Sequence, residues 1–395
     1  MFASYQNEIY ARGARGERPQ LPVSLEALEG AARDRLSDEA FGYVAGGAGS
    51  ESTMARNLAA FHRWQIVPRM LRDVSQRRMG VNLLGHSLPA PLLLAPVGVQ
   101  NIVHPEGELA TARAARATGI PYIHSTAATK APEDTAAVMG DAPRWFQLYW
   151  PRNPVFTQSF LDRVEKAGYS AVVVTLDTRL LAWRERDLSH AYLPFLQQDG
   201  LGIYWTDPCF RAALARPPEE DFEAAFALWA ENFSDVSHTW EDLKALRNGT
   251  RLPLIVKGIL HPEDAREAAA CGVDGIIVSN HGGRQVDGSL SALEALPEVV
   301  KAVGGQFPVL FDSGIRRGAD MFKALALGAT SVLLGRPYMW GLALDGTDGV
   351  VEVIRRLLAD FDLTLALAGC ADVGDLDRTW LHESGPTRTE GDALK

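Results

Sequence analysis

The sequence has few cysteines and no long apolar run. Only three cysteines occur among its 395 residues, Cys209, Cys271 and Cys370, and neither their odd count nor their spacing suits a disulfide framework or a metal site. No stretch approaches the ~18 apolar residues of a membrane span, and the N-terminus lacks the basic-then-apolar layout of a signal peptide. We therefore expect a soluble protein of the reducing cytoplasm, with no metal and no membrane partner.

Basic residues do not outnumber acidic ones in this sequence. The chain has 39 Lys and Arg against 49 Asp and Glu, a net charge of −10, which argues against nucleic acid or an anionic membrane as a partner. Any anionic ligand must then be bound by a local cluster of Arg and Lys. No Gly-x-Gly-x-x-Gly run follows a strand pattern near the N-terminus, and this argues against a dinucleotide on a Rossmann domain.

The chain does contain a repeated alternation of apolar runs and helical patterns. Its 47% hydrophobic and 22% charged residues are typical of a globular protein with a sizeable core, and its length allows one large barrel or two ordinary domains. Apolar runs within 275–285, 308–318 and 331–337 each end in a polar or Gly-rich turn, with helical patterns between them, as in parallel βα units. Polar residues recur once per unit, always after the strand, which is typical of a (β/α)8 barrel.

This pattern predicts a single barrel domain over 1–395, with the barrel itself at 91–368. A helical extension is expected at 1–90, and a closing helix at 349–367. The other five strands are expected at 88–97, 120–124, 144–149, 171–175 and 253–257.

Two segments depart from the βα pattern. Residues 177–239 are far longer than an ordinary βα loop and predict a lid or an interface, with an amphipathic helix at 222–233. The polar segment 382–395 is expected to be a disordered tail.

The most specific stretch is the run 279–285, Ser-Asn-His-Gly-Gly-Arg-Gln. Taken singly, the strand-end residues have structural explanations: Asp312 as a helix cap, Gly335 as a turn and His281 as a loop histidine. Their recurrence on successive strand ends is what favours an active site. His281 suits a general base because an imidazole with a pKa of about 6.5 accepts a proton at neutral pH. Asp312 is expected to orient it and stabilise its charged form.

The run 279–285 resembles the signature of the FMN-dependent L-2-hydroxy acid oxidase and dehydrogenase family, and the resemblance extends from about Tyr5 to about Leu376. Within that family, the run 5–10 and the segment after Asp187 are most similar to lactate 2-monooxygenases. The resemblance implies a (β/α)8 barrel, FMN as the cofactor, and a 2-hydroxy acid and molecular oxygen as partners. It also implies a homotetramer or homo-octamer.

The resemblance further implies roles for individual residues. Tyr43, Arg184 and Arg284 would bind the substrate carboxylate, and Tyr149 would bind its hydroxyl. Lys257 would stabilise negative charge on the flavin, while the turns after the seventh and eighth strands suit its phosphate. The expected catalytic residues are His281, Asp312, Tyr149 and Lys257. The expected FMN contacts are Ala95, Pro96, Val97, Gly98, Ser125, Gln147, Thr175, Lys257, Ser279, Asp312, Ser313, Gly314, Arg316, Gly335 and Arg336.

The expected activity is that of a lactate 2-monooxygenase, which converts L-lactate to acetate, CO2 and water. A lid would retain the keto acid, and Gly98, which lacks a methyl group, would leave room for keto acid and oxygen beside the flavin. The alternatives are an oxidase that releases keto acid and hydrogen peroxide, and a dehydrogenase with another acceptor. An FMN-dependent isomerase or synthase and a barrel kept only as a binding scaffold also stay open, as does the identity of the 2-hydroxy acid.

Overall fold

Eight parallel strands close into a barrel in the computed structural model, which describes residues 1–233 and 235–384. The β-strands are β1 Trp64–Ile66, β2 Val81–Leu83, β3 His86–Leu88, β4 Leu92–Leu94, β5 Tyr122–Ser125, β6 Arg144–Leu148, β7 Val172–Thr175, β8 Leu254–Ile259, β9 Gly275–Val278, β10 Val309–Phe311, β11 Ser331–Leu334 and β12 Leu381–Glu383. Strands β4 to β11 follow one another around the barrel, and β11 pairs with β4 to close it. The predicted (β/α)8 barrel is confirmed.

Helices surround this barrel and also precede and interrupt it. The α-helices are α1 Ser4–Gly13, α2 Leu25–Arg35, α3 Asp38–Ala45, α4 Ser52–Ala59, α5 Glu108–Thr118, α6 Pro132–Met139, α7 Pro154–Lys166, α8 Glu185–Ser189, α9 Gly202–Trp205, α10 Pro208–Ala212, α11 Phe222–Asn232, α12 Trp240–Asn248, α13 Pro262–Ala270, α14 Ala292–Val303, α15 Gly318–Ala326 and α16 Arg336–Ala368. Serine caps begin α2 and α3, since Ser24 and Ser37 accept hydrogen bonds from the backbone N–H groups of Ala27 and Ala40.

The barrel strands are mostly apolar on both faces because one face fills the barrel and the other packs under the helices. One buried side chain from each strand fills the interior: Leu93, Ile123, Trp145, Val173, Ile255, Ile277, Leu310 and Leu333. The antiparallel pair β2 and β3 adds Leu83 and Leu88 to this cluster, just before the first barrel strand. The end of the barrel at which the strands begin is therefore closed, and the end at which they finish is left for the site.

The insertion between β7 and α12 contains the helices α8, α9, α10 and α11. Only the last of these was expected from the sequence. Aromatic side chains hold the insertion together: Trp229 lies with its ring centroid 4.8 Å from those of both Phe195 and Phe233. Phe195 and Trp229 belong to the same buried cluster as the strand residues that face the helices, so the insertion packs on the barrel.

The end of the chain differs from expectation in two places. Helix α16 begins at Arg336, well before the expected 349, and is interrupted by non-helical backbone at Asp345 and Gly346. Neither α16 nor any other helix in the described ranges combines the length and apolar character needed to cross a membrane.

The prediction of a disordered tail at 382–395 is wrong at the start of that segment. Leu381–Glu383 form β12, which pairs with β1, and Ser384 donates its N–H to Arg63 O. The pairing follows from Trp380, which is 2% exposed and so fixes the chain on the barrel just before β12. Residues 385–395 lie outside the described residues.

Candidate active site

A cavity of about 1140 Å3, its open mouth included, lies at the end of the barrel where the strands finish. The turns after most of the barrel strands and the insertion contribute its walls, and Tyr43 reaches it from α3. Of the residues predicted from the sequence, the cavity brings together Tyr43, Ala95, Pro96, Val97, Gly98, Tyr149, Arg184, Lys257, His281, Arg284, Asp312, Ser313, Gly314, Arg316, Gly335 and Arg336.

His281 is held by Asp177, a residue that the sequence prediction missed. The Nδ1 atom of His281 lies 2.8 Å from Asp177 Oδ1, and its Nε2 atom lies 3.5 Å from the hydroxyl of Tyr149. The backbone of His281 is left-handed, with φ of 58°, and its N–H donates to Ser279 Oγ over 3.0 Å. With Nδ1 engaged by a carboxylate, Nε2 is the atom free to accept a proton from a ligand.

The expected pairing of His281 with Asp312 is therefore wrong. Among the described residues no hydrogen bond or ion pair joins the two. The carboxylate of Asp312 instead lies 3.4 Å from Lys257 Nζ and accepts a hydrogen bond from Ser313 Oγ over 2.7 Å. The left-handed turn at His281 carries its ring to the strand end of β7, where Asp177 lies, and leaves Asp312 beside Lys257.

Burial and nearby charges together keep His281 neutral and Asp177 ionised. Burial lowers the pKa of His281, and although Asp177 raises it, Lys257 and Arg184 add to the lowering. Burial alone would raise the pKa of Asp177, but His281 and Lys257 hold it at about 2. A neutral imidazole beside an ionised carboxylate is the state that a general base requires at pH 7.

Lys257 is 3% exposed and lies near two carboxylates. Its Nζ donates to Ser279 Oγ over 2.9 Å and lies 3.4 Å from Asp312 and 4.0 Å from Asp177. Burial alone would lower the pKa of Lys257, yet Asp312 and then Asp177 raise it above its usual value. The side chain is therefore a fixed positive charge in the floor of the cavity.

Arg184 and Arg284 form a second positive group beside Tyr43. Arg284 donates to the carbonyls of Tyr43 and Gly46, each over 2.7 Å, and its guanidinium lies 5.2 Å from the Tyr43 ring. Arg184, on the insertion, donates to Arg284 O over 3.2 Å. Burial and the nearby Arg184 lower the pKa of Arg284 to about 10. Two crowded guanidinium groups would be relieved by a bound carboxylate.

A third positive group lies where the turns after β10 and β11 meet. Burial and its neighbours Arg284 and Arg316 lower the pKa of Arg336 well below its usual value, and burial lowers that of Arg316. Neither side chain has an ion-pair partner in the part of the chain described. Gly335 precedes α16 and no side chain caps that helix, so its N-terminus lies at the same place. The guanidinium of Arg336 is fixed in place because it donates to the carbonyls of Val44, Gly46 and Gly282. This arrangement suits a phosphate.

The sequence model of the family described as FMN-dependent dehydrogenase matches residues 32–383 of this chain. The chain belongs to this family. An L-lactate oxidase from Lysinibacillus sphaericus is 45% identical over 355 residues, which are 90% of this chain and 91% of the relative. 2-Hydroxyacid oxidase 1 from Homo sapiens is 38% identical and covers 92% of this chain and 97% of its own. A crystal structure of mandelate oxidase is 41% identical, with a TM-score of 0.81 over 91% of this chain and 98% of that one.

Membership of the FMN-dependent dehydrogenase family confirms the predicted family, the cofactor FMN and an oxidoreductase. The residues present fit that cofactor. Gln147 is 1% exposed; its Oε1 accepts from Ser125 Oγ over 2.8 Å, whereas its Nε2 is buried with no partner among the described residues. A buried amide donor left unpaired costs about 1–3 kcal/mol, so it calls for a ligand that can accept its hydrogen bond. The FMN ring carries such acceptors.

Not every expected FMN contact lines the main cavity. Ser125, Gln147 and Ser279 are buried at strand ends, 2%, 1% and 0% exposed. Thr175 lines a neighbouring cavity, which it shares with Trp150 and His238. Their roles in binding FMN stay predictions.

Gly98 does not leave open space, which corrects the expectation that it makes room beside the flavin. A Cβ atom added to Gly98 would lie 2.7 Å from both the Cβ and the carbonyl oxygen of Ala127. The missing methyl group therefore lets the turn after β4 approach the turn after β5 and does not enlarge the site.

Among the cavity residues that sequence reasoning missed, Leu181, Phe195 and Phe233 are apolar and lie within the insertion. The ring of Phe233 packs on that of Tyr149 with 5.1 Å between centroids. Asp177 carried a usable signal because it is a carboxylate two residues beyond the end of β7, and the site residues of a barrel lie at such strand ends. The apolar residues carried none, since nothing in an irregular insertion fixes which side chains turn inward.

Proposed function

We propose that this protein oxidises an L-2-hydroxy acid with FMN as the cofactor and molecular oxygen as the final acceptor. One observation carries the proposal: a neutral His281, fixed by Asp177, faces a cavity that also contains the guanidinium groups of Arg184 and Arg284. A base and an anion clamp in one cavity suit a substrate with a hydroxyl next to a carboxylate. The relatives named L-lactate oxidase and 2-hydroxyacid oxidase support this substrate class.

The chain's own residues bind the substrate and move its proton. Arg184, Arg284 and the Tyr43 hydroxyl bind the carboxylate, and this fixes the hydroxyl near Tyr149. Nε2 of His281 takes the hydroxyl proton, and Asp177 stabilises the imidazolium that results. Bound FMN supplies the acceptor for the two electrons that leave the substrate carbon.

The cofactor residues follow from the same geometry. Arg316, Arg336 and the turns at Gly314 and Gly335 would hold the phosphate, and the unpaired Nε2 of Gln147 would hold the ring. Lys257, fixed between Asp312 and Ser279, would place its positive charge beside the ring and favour its reduction. Ala95–Gly98 would lie against the ring.

For the fate of the product we propose the lactate 2-monooxygenase type, in which L-lactate gives acetate, CO2 and water. The insertion supports this choice because Leu181, Arg184, Phe195 and Phe233 cover the cavity, and Arg184 is only 6% exposed. A keto acid held under this cover stays in place until oxygen has reacted, and it then loses CO2. The second candidate is an oxidase that releases keto acid and hydrogen peroxide, which the names of the relatives favour.

Anaerobic mixing of the purified yellow protein with a panel of L-2-hydroxy acids and their D-enantiomers tests the substrate class. We expect L-lactate or a near relative to bleach the flavin absorbance and D-lactate not to. A flavin that no 2-hydroxy acid bleaches would contradict the proposal and favour an isomerase or synthase on the same barrel. A colourless protein that does not take up FMN would favour a scaffold.

Aerobic product analysis tests the fate of the product. We expect acetate and CO2 in a ratio of one to one with the oxygen consumed, and little free peroxide. Stoichiometric pyruvate and hydrogen peroxide would contradict the monooxygenase type and leave the oxidase.

The assembly and the location rest on sequence resemblance and composition alone. We propose a homotetramer or homo-octamer in the cytoplasm. Light scattering on the purified protein checks the assembly, and a mass equal to one chain would contradict it.

A further inference from the structure

Thr178, near the start of the insertion, contacts both the histidine and the aspartate of the site. It is 8% exposed, and its Oγ1 atom lies 3.0 Å from Asp177 Oδ1 and 3.1 Å from His281 Nδ1. Because Asp177 Oδ1 and His281 Nδ1 are themselves 2.8 Å apart, the three atoms form a closed triangle. Thr178 lines both the main cavity and the neighbouring one, so its side chain lies in the wall between them.

The inventory of donors fixes the direction of these hydrogen bonds. An ionised carboxylate only accepts, and an imidazole whose Nε2 acts as the base carries its proton on Nδ1. That Nδ1 proton points to Asp177 Oδ1, so the hydroxyl proton of Thr178 is the other donor to the same oxygen. Asp177 Oδ1 thus receives two hydrogen bonds, whereas Oδ2 is buried with no hydrogen-bond partner among the described residues.

We propose that Thr178 is a positioning residue: its hydroxyl fixes the carboxylate of Asp177 against His281 and limits how strongly that carboxylate raises the proton affinity of the imidazole. A donor on Asp177 Oδ1 withdraws part of the negative charge that His281 would otherwise feel. The base is thereby kept neutral at lower pH than the histidine–aspartate pair alone would allow.

The other charged groups around His281 come from different elements and do not depend on Thr178. Lys257 lies on β8, and Asp312 follows β10 and lies 3.4 Å from Lys257 Nζ. Arg184 lies on the insertion, and the Tyr149 hydroxyl follows β6. Replacing Thr178 by valine keeps the shape of the side chain and removes only the hydroxyl, so a change in the titration of His281 reports on that group.

The test compares the pH dependence of flavin reduction by L-lactate in the wild type, Thr178→Val and Thr178→Ser. In Thr178→Val the carboxylate of Asp177 attracts the imidazolium more strongly, so the acidic limb of the rate profile moves to higher pH by about 0.5 to 1 pH unit. Thr178→Ser retains the hydroxyl and restores the wild-type limb. FMN content and the melting temperature are measured for each variant, so that a loss of fold is recognised.

The kinetic test rests on the proposed function. A second measurement needs no turnover, so its result does not depend on that function. Nitrogen-15 NMR of histidine-labelled full-length protein follows the titration of His281, which is assigned by its absence in His281→Gln. We expect the pKa of His281 to rise in Thr178→Val and to return in Thr178→Ser. An unchanged or lowered pKa in Thr178→Val, or an equal rise in both variants, would overturn the proposal.

Discussion

The site depends on a buried lysine whose charge is compensated twice. Lys257 lies between Asp312 and Asp177, and both carboxylates are nearly buried. Removing one partner of such a group leaves the others as uncompensated buried charges, which typically costs about 3–5 kcal/mol. Lys257 therefore contributes to the fold of the site as well as to its chemistry.

Lys257→Met should change both the stability of the protein and the pH below which flavin reduction slows. The free energy of unfolding falls because Asp177 and Asp312 lose their common cation. Lys257 also lowers the pKa of His281, so its removal raises that pKa and moves the acidic limb of flavin reduction to higher pH. We further expect weaker binding of sulfite, an anion that senses positive charge beside the flavin. Unchanged sulfite affinity, measured by titration of the flavin absorbance, would show that Lys257 does not face the ring.

The pH range of the activity follows from two residues. His281 must be neutral, and since burial lowers its pKa, kcat/KM should fall only below about pH 6.5, the usual value for histidine. Arg284 must be charged to bind the substrate carboxylate, and its pKa of about 10 sets the upper limit. Steady-state kinetics from pH 4.5 to 11, within the range of stability, check both limits. A half-maximal point above pH 6.5 on the acidic side would contradict a neutral His281.

At the scale of a residue, the sequence indicates which side chains lie in the site but not which carboxylate pairs with His281. Asp177 and Asp312 both follow barrel strands, and either could have reached His281. The choice depends on the left-handed backbone at His281, with φ of 58°, which a sequence pattern does not show. The residues on regular strand ends were easier to predict because the period of a strand fixes the side on which each one lies.

At the scale of an element, the turns after β9 and β10 hold strained backbone. His281 and Ser313 have φ of 58° and 81°, conformations that cost about 1–3 kcal/mol each for residues with a side chain. Neighbouring groups hold them there: Ser313 Oγ accepts from Gly282 N over 3.0 Å, and Asn280 pairs with Asn57 of α4 over 2.7 and 2.8 Å. Helix α4 of the N-terminal extension thus fixes the loop that contains the base.

The turn after β4 gives a direct test of close packing. Gly98→Ala places a methyl group 2.7 Å from the backbone oxygen of Ala127, so the turn must shift, and we expect a loss of about 1–3 kcal/mol of stability together with weaker FMN binding. Gly30→Ala is the matched control, because no atom lies within 4 Å of its added methyl group in α2 and the change favours the helix. Thermal unfolding and FMN titration measure both variants. Equal behaviour of the two would contradict the close contact.

The elements of the barrel were predictable because each has one period and a local boundary. A buried strand reads as a short apolar run, and a polar or Gly-rich turn ends it, as at 171–175 and 275–278. The helices α8 to α10 were not predictable, since they are four or five residues long and too short to show a helical period. Strand β12 was missed because it depends on pairing with β1, more than 300 residues away in the chain.

At the scale of the whole molecule, the residues that close the barrel and the residues proposed to act on the substrate lie at opposite ends. The interior cluster and the β2–β3 pair close one end, while the residues proposed to act on the substrate lie at the other end or on the insertion. The fold and the position of the site follow from this general property of (β/α)8 barrels, which is why both could be inferred from strand ends alone. The insertion decides how the cavity is covered, and its shape needed the structure.

The most direct measurement of the central claim is the rate of flavin reduction in a stopped-flow instrument, with L-lactate mixed anaerobically into the wild type and into His281→Gln. The variant should retain FMN, because Arg316, Arg336 and the turns around them are untouched. We predict that the wild type is bleached rapidly and the variant at least about 100-fold more slowly, as is typical of the loss of a general base. Reduction of His281→Gln at nearly the wild-type rate would contradict the assignment of His281, paired with Asp177, as the base.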